Sequence, residues 1–247
     1  MSKISVCLII KNEGVKIRDC LASVLNFADE IIVVHDGKCL DNTLNICREY
    51  GAVIFINKLI DFSSQRNFAS SKANNDIVLH LDSDERLTQE LKKEIARVLS
   101  ESTNVRAYKI QRKNFIAGKW LKGGGWGIKQ DYQARLYDKT KYSWEGLVHE
   151  RLNCNNTVAL KNYILHYSSD NFAEAVENFE DWTSKTAKEK ISKGKKFNIF
   201  RLILLPPLEF IRRYLFLRGF VDGYVGIFLA FSQAKTRAVV ELKMKDF

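Results

Sequence analysis

Proline is nearly missing from this chain of 247 residues: there are two, and they are adjacent, Pro206-Pro207. Hydrophobic residues make up 46% of the sequence and charged residues 28%, which excludes wholesale disorder and supports a sizeable core. The length suits one large domain, or one domain with a C-terminal appendage. No run of about 18 uncharged apolar residues occurs, so a simple membrane span is not expected. The opening MSKISVCLIIKNEG carries an apolar run too short for a signal peptide and no cleavage site. Cysteine occurs at five positions, Cys7, Cys20, Cys39, Cys47 and Cys154, an odd number without a C-x-x-C pair. That argues against a disulfide framework or zinc site and for buried thiols in a reducing cytoplasm. Internal repeats and recognisable nucleic-acid motifs are missing too, so no nucleic-acid partner is expected.

Charge is present but uneven. Residues 1–90 carry ten Lys and Arg against thirteen Asp and Glu; residues 91–247 carry twenty-nine against sixteen. By charge alone the basic second half points to an anionic partner, for which nucleic acid, acidic lipid and a phosphorylated glycan all qualify, unless it is only a soluble surface.

The first 85 residues alternate short apolar runs with helical patterns. Strands are expected at 4–10, 30–35, 52–56 and 76–81. Helices are expected at 15–26 (Ile17, Leu21, Val24 and Leu25 inward), 40–50 (Leu44, Ile46 and Cys47 inward) and 63–71. Continuous apolar strands separated by helices predict a parallel sheet covered on both faces, an open α/β sheet of the nucleotide-binding type. Further on, a helix over 88–100 has Thr88 as N-cap, and strands follow at 105–112, 133–137 and 163–166. A helix over 172–190 places Phe172, Val176, Phe179 and Trp182 at helical spacing. Between these lies a glycine-rich loop, 116–128, whose Trp120 and Trp126 could offer stacking faces to a sugar. From residue 193 the sequence becomes strongly apolar yet is interrupted by Arg201, Glu209, Arg212, Arg213, Arg218 and Asp222. Pro206-Pro207 is expected to split that segment. It reads as amphipathic helices lying in a membrane interface, or alternatively as helices packing on the core or on a second copy in a homodimer.

Asp82-Ser83-Asp84-Glu85 follows the fourth strand, at the carboxyl edge where open α/β sheets bind ligands. Strand alternation would turn Asp82 and Asp84 the same way and Ser83 the other. Two carboxylates so close favour a nearby hard cation, Mg²⁺ or Mn²⁺, which takes one or two carboxylates with phosphate oxygens and water. A helix N-cap role for Asp84 is the competing reading.

SVCLIIKNEG, EIIVVHDGKCLDNT, SSQRNFA and LHLDSDE together resemble the family 2 glycosyltransferases, inverting enzymes of the GT-A fold. WEGLVHE and ILHYSS are similar to the small bacterial transferases that add glucose or a related sugar to the lipopolysaccharide inner core. The resemblance spans nearly the whole chain. It implies a domain over 1–192, with 1–100 binding the nucleotide sugar and 101–192 the acceptor, followed by a membrane-association or dimerisation segment over 193–247. It implies Asn12, Glu13 and Asp36 around the base and ribose of a UDP-sugar. His35 stands where relatives often carry a first Asp. Arg66 would lie near the base or diphosphate, Asp82 near ribose or metal, and Asp84 on the metal with His166 completing the site. Inversion in one displacement needs a base for the acceptor hydroxyl, and Glu150 is expected there, with Glu145 as substitute and His149 orienting. A structural salt bridge is the competing reading of either acid, and a surface role that of Arg66. Arg135 could meet the diphosphate or an acceptor phosphate. The implied enzyme transfers a hexose, glucose from UDP-glucose, to a lipopolysaccharide-core or other glycolipid acceptor. It would lie peripherally on the cytoplasmic face of the inner membrane, held by residues 197–247. A sugar-phosphate nucleotidyltransferase would instead carry a glycine-rich phosphate loop after the first strand, where KNEG stands. A non-catalytic basic membrane or nucleic-acid binder would leave the strand-end acids without a purpose.

Overall fold

The computed structural model describes residues 3–101, 107–127, 130–146 and 150–245, with backbone alone at 178, 180–182 and 185. In chain order the first elements are β1 (Ile4–Ile10), α1 (Ile17–Val24), β2 (Glu30–His35), α2 (Thr43–Glu49), β3 (Val53–Ile56), α3 (Phe62–Lys72) and β4 (Ile77–Leu81). Then come β5 (Glu85–Leu87), α4 (Gln89–Glu101), β6 (Ala107–Ile116), β7 (Lys119–Trp120), β8 (Tyr132–Asp138), β9 (Trp144–Glu145), β10 (Arg151–Leu152) and β11 (Thr157–Ser169). Three long helices close the chain: α5 (Phe172–Ser192), α6 (Ile199–Ile211) and α7 (Tyr224–Lys243).

The main sheet runs β3-β2-β1-β4-β8-β6-β11-β5, with β7 paired to β6. The expected parallel part is β3-β2-β1-β4, in register Ile10 to His35 and Leu8 to Leu81. Its strand ends therefore lie side by side, and the loops after β1, β2 and β4 share one edge. β8 joins β4 antiparallel and makes the sheet mixed. Alternation along β1 sends Val6, Leu8 and Ile10 to one core with Ile17 and Leu21 of α1 and Leu91 and Ile95 of α4. Cys7 goes to the other face, against Ala69 of α3 and with Tyr137 and Trp144. Helices on both faces explain why β1, β2 and β4 are apolar throughout. The α/β fold of GT-A type, a sheet flanked by helices, is the one expected. Leu25 is a correction: α1 stops at Val24, and Leu25 caps it in extended backbone, 48% exposed.

Two compact units are present, Met1–Arg112 with Tyr132–His166, and Lys113–Asp131 with Tyr167–Phe247. In the second unit the glycine-rich loop is clamped rather than free. The N–H groups of Lys122 and Gly123 each donate to the Asp222 carboxylate at 2.9 Å, and Gly124 N–H donates to Leu217 O at 2.8 Å. A Cβ on Gly123 would lie 2.1 Å from Arg218 O, so only glycine permits this approach. Arg213 covers the Trp126 ring at 4.4 Å, and Lys113 and Lys122 lie over Trp120 at 4.1 and 5.2 Å.

Pro206-Pro207 does not split the C-terminal segment. Both lie inside α6, because a proline's fixed φ is itself helical; what is lost is two N–H donors to the preceding turn. A π-helical turn, Arg212–Phe216, follows directly, with Leu217 N–H reaching Arg212 O at 2.8 Å. Glu209 holds this region by accepting from Arg212 Nη2 at 2.9 Å and Arg213 Nε at 2.7 Å. No helix among the described residues is long and apolar enough to cross a membrane. The cysteines of the chain are free thiols, with Cys7, Cys20 and Cys47 buried.

Candidate active site

The edge formed by the ends of β1, β2 and β4 gathers most of the residues singled out in the sequence. After β1, Asn12 takes a positive φ of 49°, which its short polar side chain tolerates, and its Oδ1 accepts Leu40 N–H at 2.9 Å. His35, at the end of β2, is fully buried. Its Nδ1 lies 3.1 Å from Gly37 O, an acceptor only, so Nδ1 carries the proton and Nε2 faces Asn12 N–H at 3.5 Å. His35 thus ties two loops together and leaves Asp36 as the acid that directly follows β2. Asp36 accepts Leu59 N–H at 2.9 Å and pairs with Lys11 Nζ at 3.2 Å; the two hold its carboxyl below the usual range. Burial pushes the Glu13 carboxyl up, against a hydrogen bond from Ser83 and with repulsion from Asp84.

Asp82-Ser83-Asp84 is a turn, not a strand continuation. β4 ends at Leu81, and Glu85 N–H donates to Asp82 O at 3.0 Å, which closes the turn before β5. The two acids therefore reach different partners, and the strand-alternation argument fails here. The N-cap reading of Asp84 fails as well, since a strand follows and Thr88 Oγ1 caps α4 through Leu91 N–H at 3.2 Å.

Asp82 is gripped by two arginines. Arg66 Nη2 donates to its Oδ1 at 2.9 Å, and Arg135 reaches both of its oxygens. Burial opposes ionisation, but the charges of Arg135 and Arg66 hold Asp82 well below the usual carboxylate range. Arg66 also donates Nε to Glu150 Oε1 at 3.2 Å. One guanidinium, 5% exposed, thus joins the acid after β4 to the acid of WEGLVHE. Beneath it lies a buried polar floor: Arg66 sits 5.0 Å over the Trp144 ring, Trp144 Nε1 donates to Tyr137 OH at 2.7 Å, and Ser70 Oγ donates to Arg66 O at 2.9 Å. His80 lies 2.9 Å from Ser70 Oγ and 3.2 Å from Tyr137 OH; burial, then Arg66 and Arg135, keep it neutral.

Glu85 and Arg112 were not singled out by type or spacing. Glu85 is fully buried and accepts Arg135 Nη2 at 2.7 Å and Asp82 N–H at 2.9 Å, with Arg112 Nη1 at 3.6 Å. Its place beside the acidic pair was the only available signal. Arg66 Nη1 and Arg135 Nε are buried with no hydrogen-bond acceptor among the described residues.

Asp84 goes to His166, with Oδ2 at 3.3 Å from Nε2. Burial raises its pKa, but His166 and then Arg112 outweigh that and bring it below the usual value. Its Oδ1 is buried without a hydrogen-bond partner among the described residues. A buried carboxylate oxygen left open, beside a histidine, fits a hard cation that completes its shell with phosphate and water. Asp82, with both oxygens on guanidinium groups, is not arranged as a ligand. No cluster of three or more His, Cys, Asp or Glu set for a metal occurs among the described residues. Glu145 is exposed, opposite Arg151 in the small β9–β10 sheet. His149 lies outside the described residues.

The sequence model described as Glycosyl transferase family 2 matches residues 5–150, which is more than half of the chain. The chain belongs to glycosyl transferase family 2. It is therefore a transferase enzyme. An uncharacterized glycosyltransferase of Rickettsia typhi is 31% identical over all of this enzyme and 90% of its own length. A lipopolysaccharide core biosynthesis glycosyltransferase, LpsC of Rhizobium meliloti, is 22% identical over 94% of this enzyme and 90% of LpsC. Among solved structures, S. aureus TarS in complex with UDP-GlcNAc is 15% identical, with a TM-score of 0.49, over 98% of this enzyme and 89% of that chain.

Proposed function

We propose that this glycosyltransferase transfers a hexose, glucose from UDP-glucose, with inversion onto a glycolipid acceptor of the lipopolysaccharide-core type. The observation that carries the reading is Arg66, shared by Asp82 at the sheet edge and by Glu150. Family membership supports a nucleotide-sugar donor and a glycan acceptor. The likeness to LpsC supports the lipopolysaccharide core. Asn12, Glu13 and Asp36 would line the nucleoside pocket, with Asp36 accepting the uracil N–H. Arg66 and Arg135, each with an open buried N–H, would receive diphosphate oxygens. Asp84 and His166 would hold Mg²⁺ or Mn²⁺, which when bound offsets charge on the departing diphosphate.

Glu150 is the base in this reading. In the structure Arg66 Nε occupies Glu150 Oε1 at 3.2 Å. Diphosphate drawing Arg66 toward itself would free Glu150 to take the acceptor proton. Residues 1–192 would carry this chemistry. Residues 193–247, with apolar side chains exposed at Phe200, Leu204 and Phe216, would hold the enzyme peripherally on the cytoplasmic face of the inner membrane.

Glu150→Gln is expected to leave UDP-glucose affinity nearly unchanged while lowering kcat by about 10²-fold or more, read by UDP release. A variant with native turnover would remove Glu150 from the base role.

A further inference from the structure

We propose that the groove between α5 and α7 in the second unit holds an acyl chain of an anionic bilayer lipid. The proposal deepens the membrane-bound reading above and rests on it. From α5, Val176, Phe179 and Thr183 face the groove; from α7, Phe228, Ser232, Thr236 and Val239 do. Both rows follow the spacing of a single helix face. Helices meeting along such rows close when large side chains interdigitate. Here the middle positions are small, and a cavity of about 160 Å³ remains. A cavity near 150 Å³ with apolar walls stays dry and accepts a ring-sized hydrocarbon.

The hydroxyls on the walls do not make this a sugar site. Thr236 Oγ1 donates to Ser232 O at 2.9 Å, and Thr183 Oγ1 accepts from Lys243 Nζ at 2.7 Å. With those two threonine hydroxyls bonded inside the protein, Val176, Phe179, Phe228 and Val239 give the groove mainly apolar faces. Phe231 lines the groove at 65% exposure, and the same side of α7 continues through Ile227 and Tyr224, 48% and 70% exposed. Apolar surface therefore runs from the cavity out to solvent. Over both helices and the stretch between them, residues 172–247 hold fourteen Lys and Arg against nine Asp and Glu, and exposed Lys235 lines the groove itself. A hydrocarbon chain in the groove with its anionic headgroup beside Lys235 satisfies both features.

The test uses the full chain without vesicles. cis-Parinaric acid, a fatty acid whose fluorescence rises in apolar surroundings, is titrated in, with monomeric dihexanoyl phosphatidylglycerol or phosphatidylcholine as competitor. Saturable one-to-one binding is expected, with phosphatidylglycerol the stronger competitor. Val239→Phe and, independently, Val176→Phe fill the groove and should each weaken binding about tenfold or more. Val53→Ser, exposed on β3 and outside the groove, should leave it unchanged. Non-saturable uptake, or native affinity in both filled variants that retain the native melting temperature, overturns the groove. Equal competition by the two lipids overturns the anionic headgroup. UDP-glucose binding measured on the same samples separates failure of the groove from failure of the enzyme reading.

Discussion

Arg66 and Arg135 lie within a buried lattice of acids, and the balance of that lattice decides what each side chain can do. Arg135 and Arg66 hold Asp82 ionised, and Arg135 also binds the fully buried Glu85. Arg135→Met would leave the buried Glu85 carboxylate, and with it the half-buried Asp82, short of a partner, at a cost of about 3–5 kcal/mol in urea unfolding. Unchanged stability would mean that the ion cluster is not formed in solution. At this scale the sequence was legible where a residue follows a strand directly. Asp36, Arg66, Asp82 and Glu150 could be named because strand ends and motif runs mark them. Glu85 and Arg112 could not, because their meeting depends on Arg135 of β8 arriving from far along the chain. Asp82 and Asp84 were correctly paired in sequence but not in direction, since a turn closed by Glu85 N–H replaces strand alternation.

At the scale of the element, the parallel strands and their covering helices follow from apolar runs and helical periodicity, and the structure repeats them within a few residues. Leu25 and the prolines show where periodicity misleads: one lies just past a helix end, and the other pair adopts the φ that a helix already has. In the glycine-rich loop, Gly123 is needed for close backbone contact. No local pattern announces a contact with residue 218. The region after α6 also carries a pH prediction. Burial alone would raise the Glu209 carboxyl, but Arg212, Arg213 and Arg237 bring it down to about 2, from an ordinary value of 4.5. A lowered folded-state pKa means that the stabilisation is complete above 4.5 and is lost as pH falls through about 2. Amide protection in α6 should therefore decline over that window, and Glu209→Gln should flatten the decline. An unaltered pH profile in the variant would take Glu209 out of the account.

Across the whole molecule, charge and apolar exposure divide the labour. The acidic N-terminal stretch supplies the sheet edge and its acids, whereas the basic remainder carries the exposed apolar helices. Asp84, beside the arginine-held Asp82, is the residue we propose for a metal-supported diphosphate site. Calorimetric titration of UDP-glucose with and without Mn²⁺, on the native chain and on Asp84→Asn, tests it most directly. Binding should tighten at least about tenfold with Mn²⁺ in the native chain and lose that gain in Asp84→Asn. Equal affinity with and without Mn²⁺, or an undiminished Mn²⁺ effect in the variant, would contradict it.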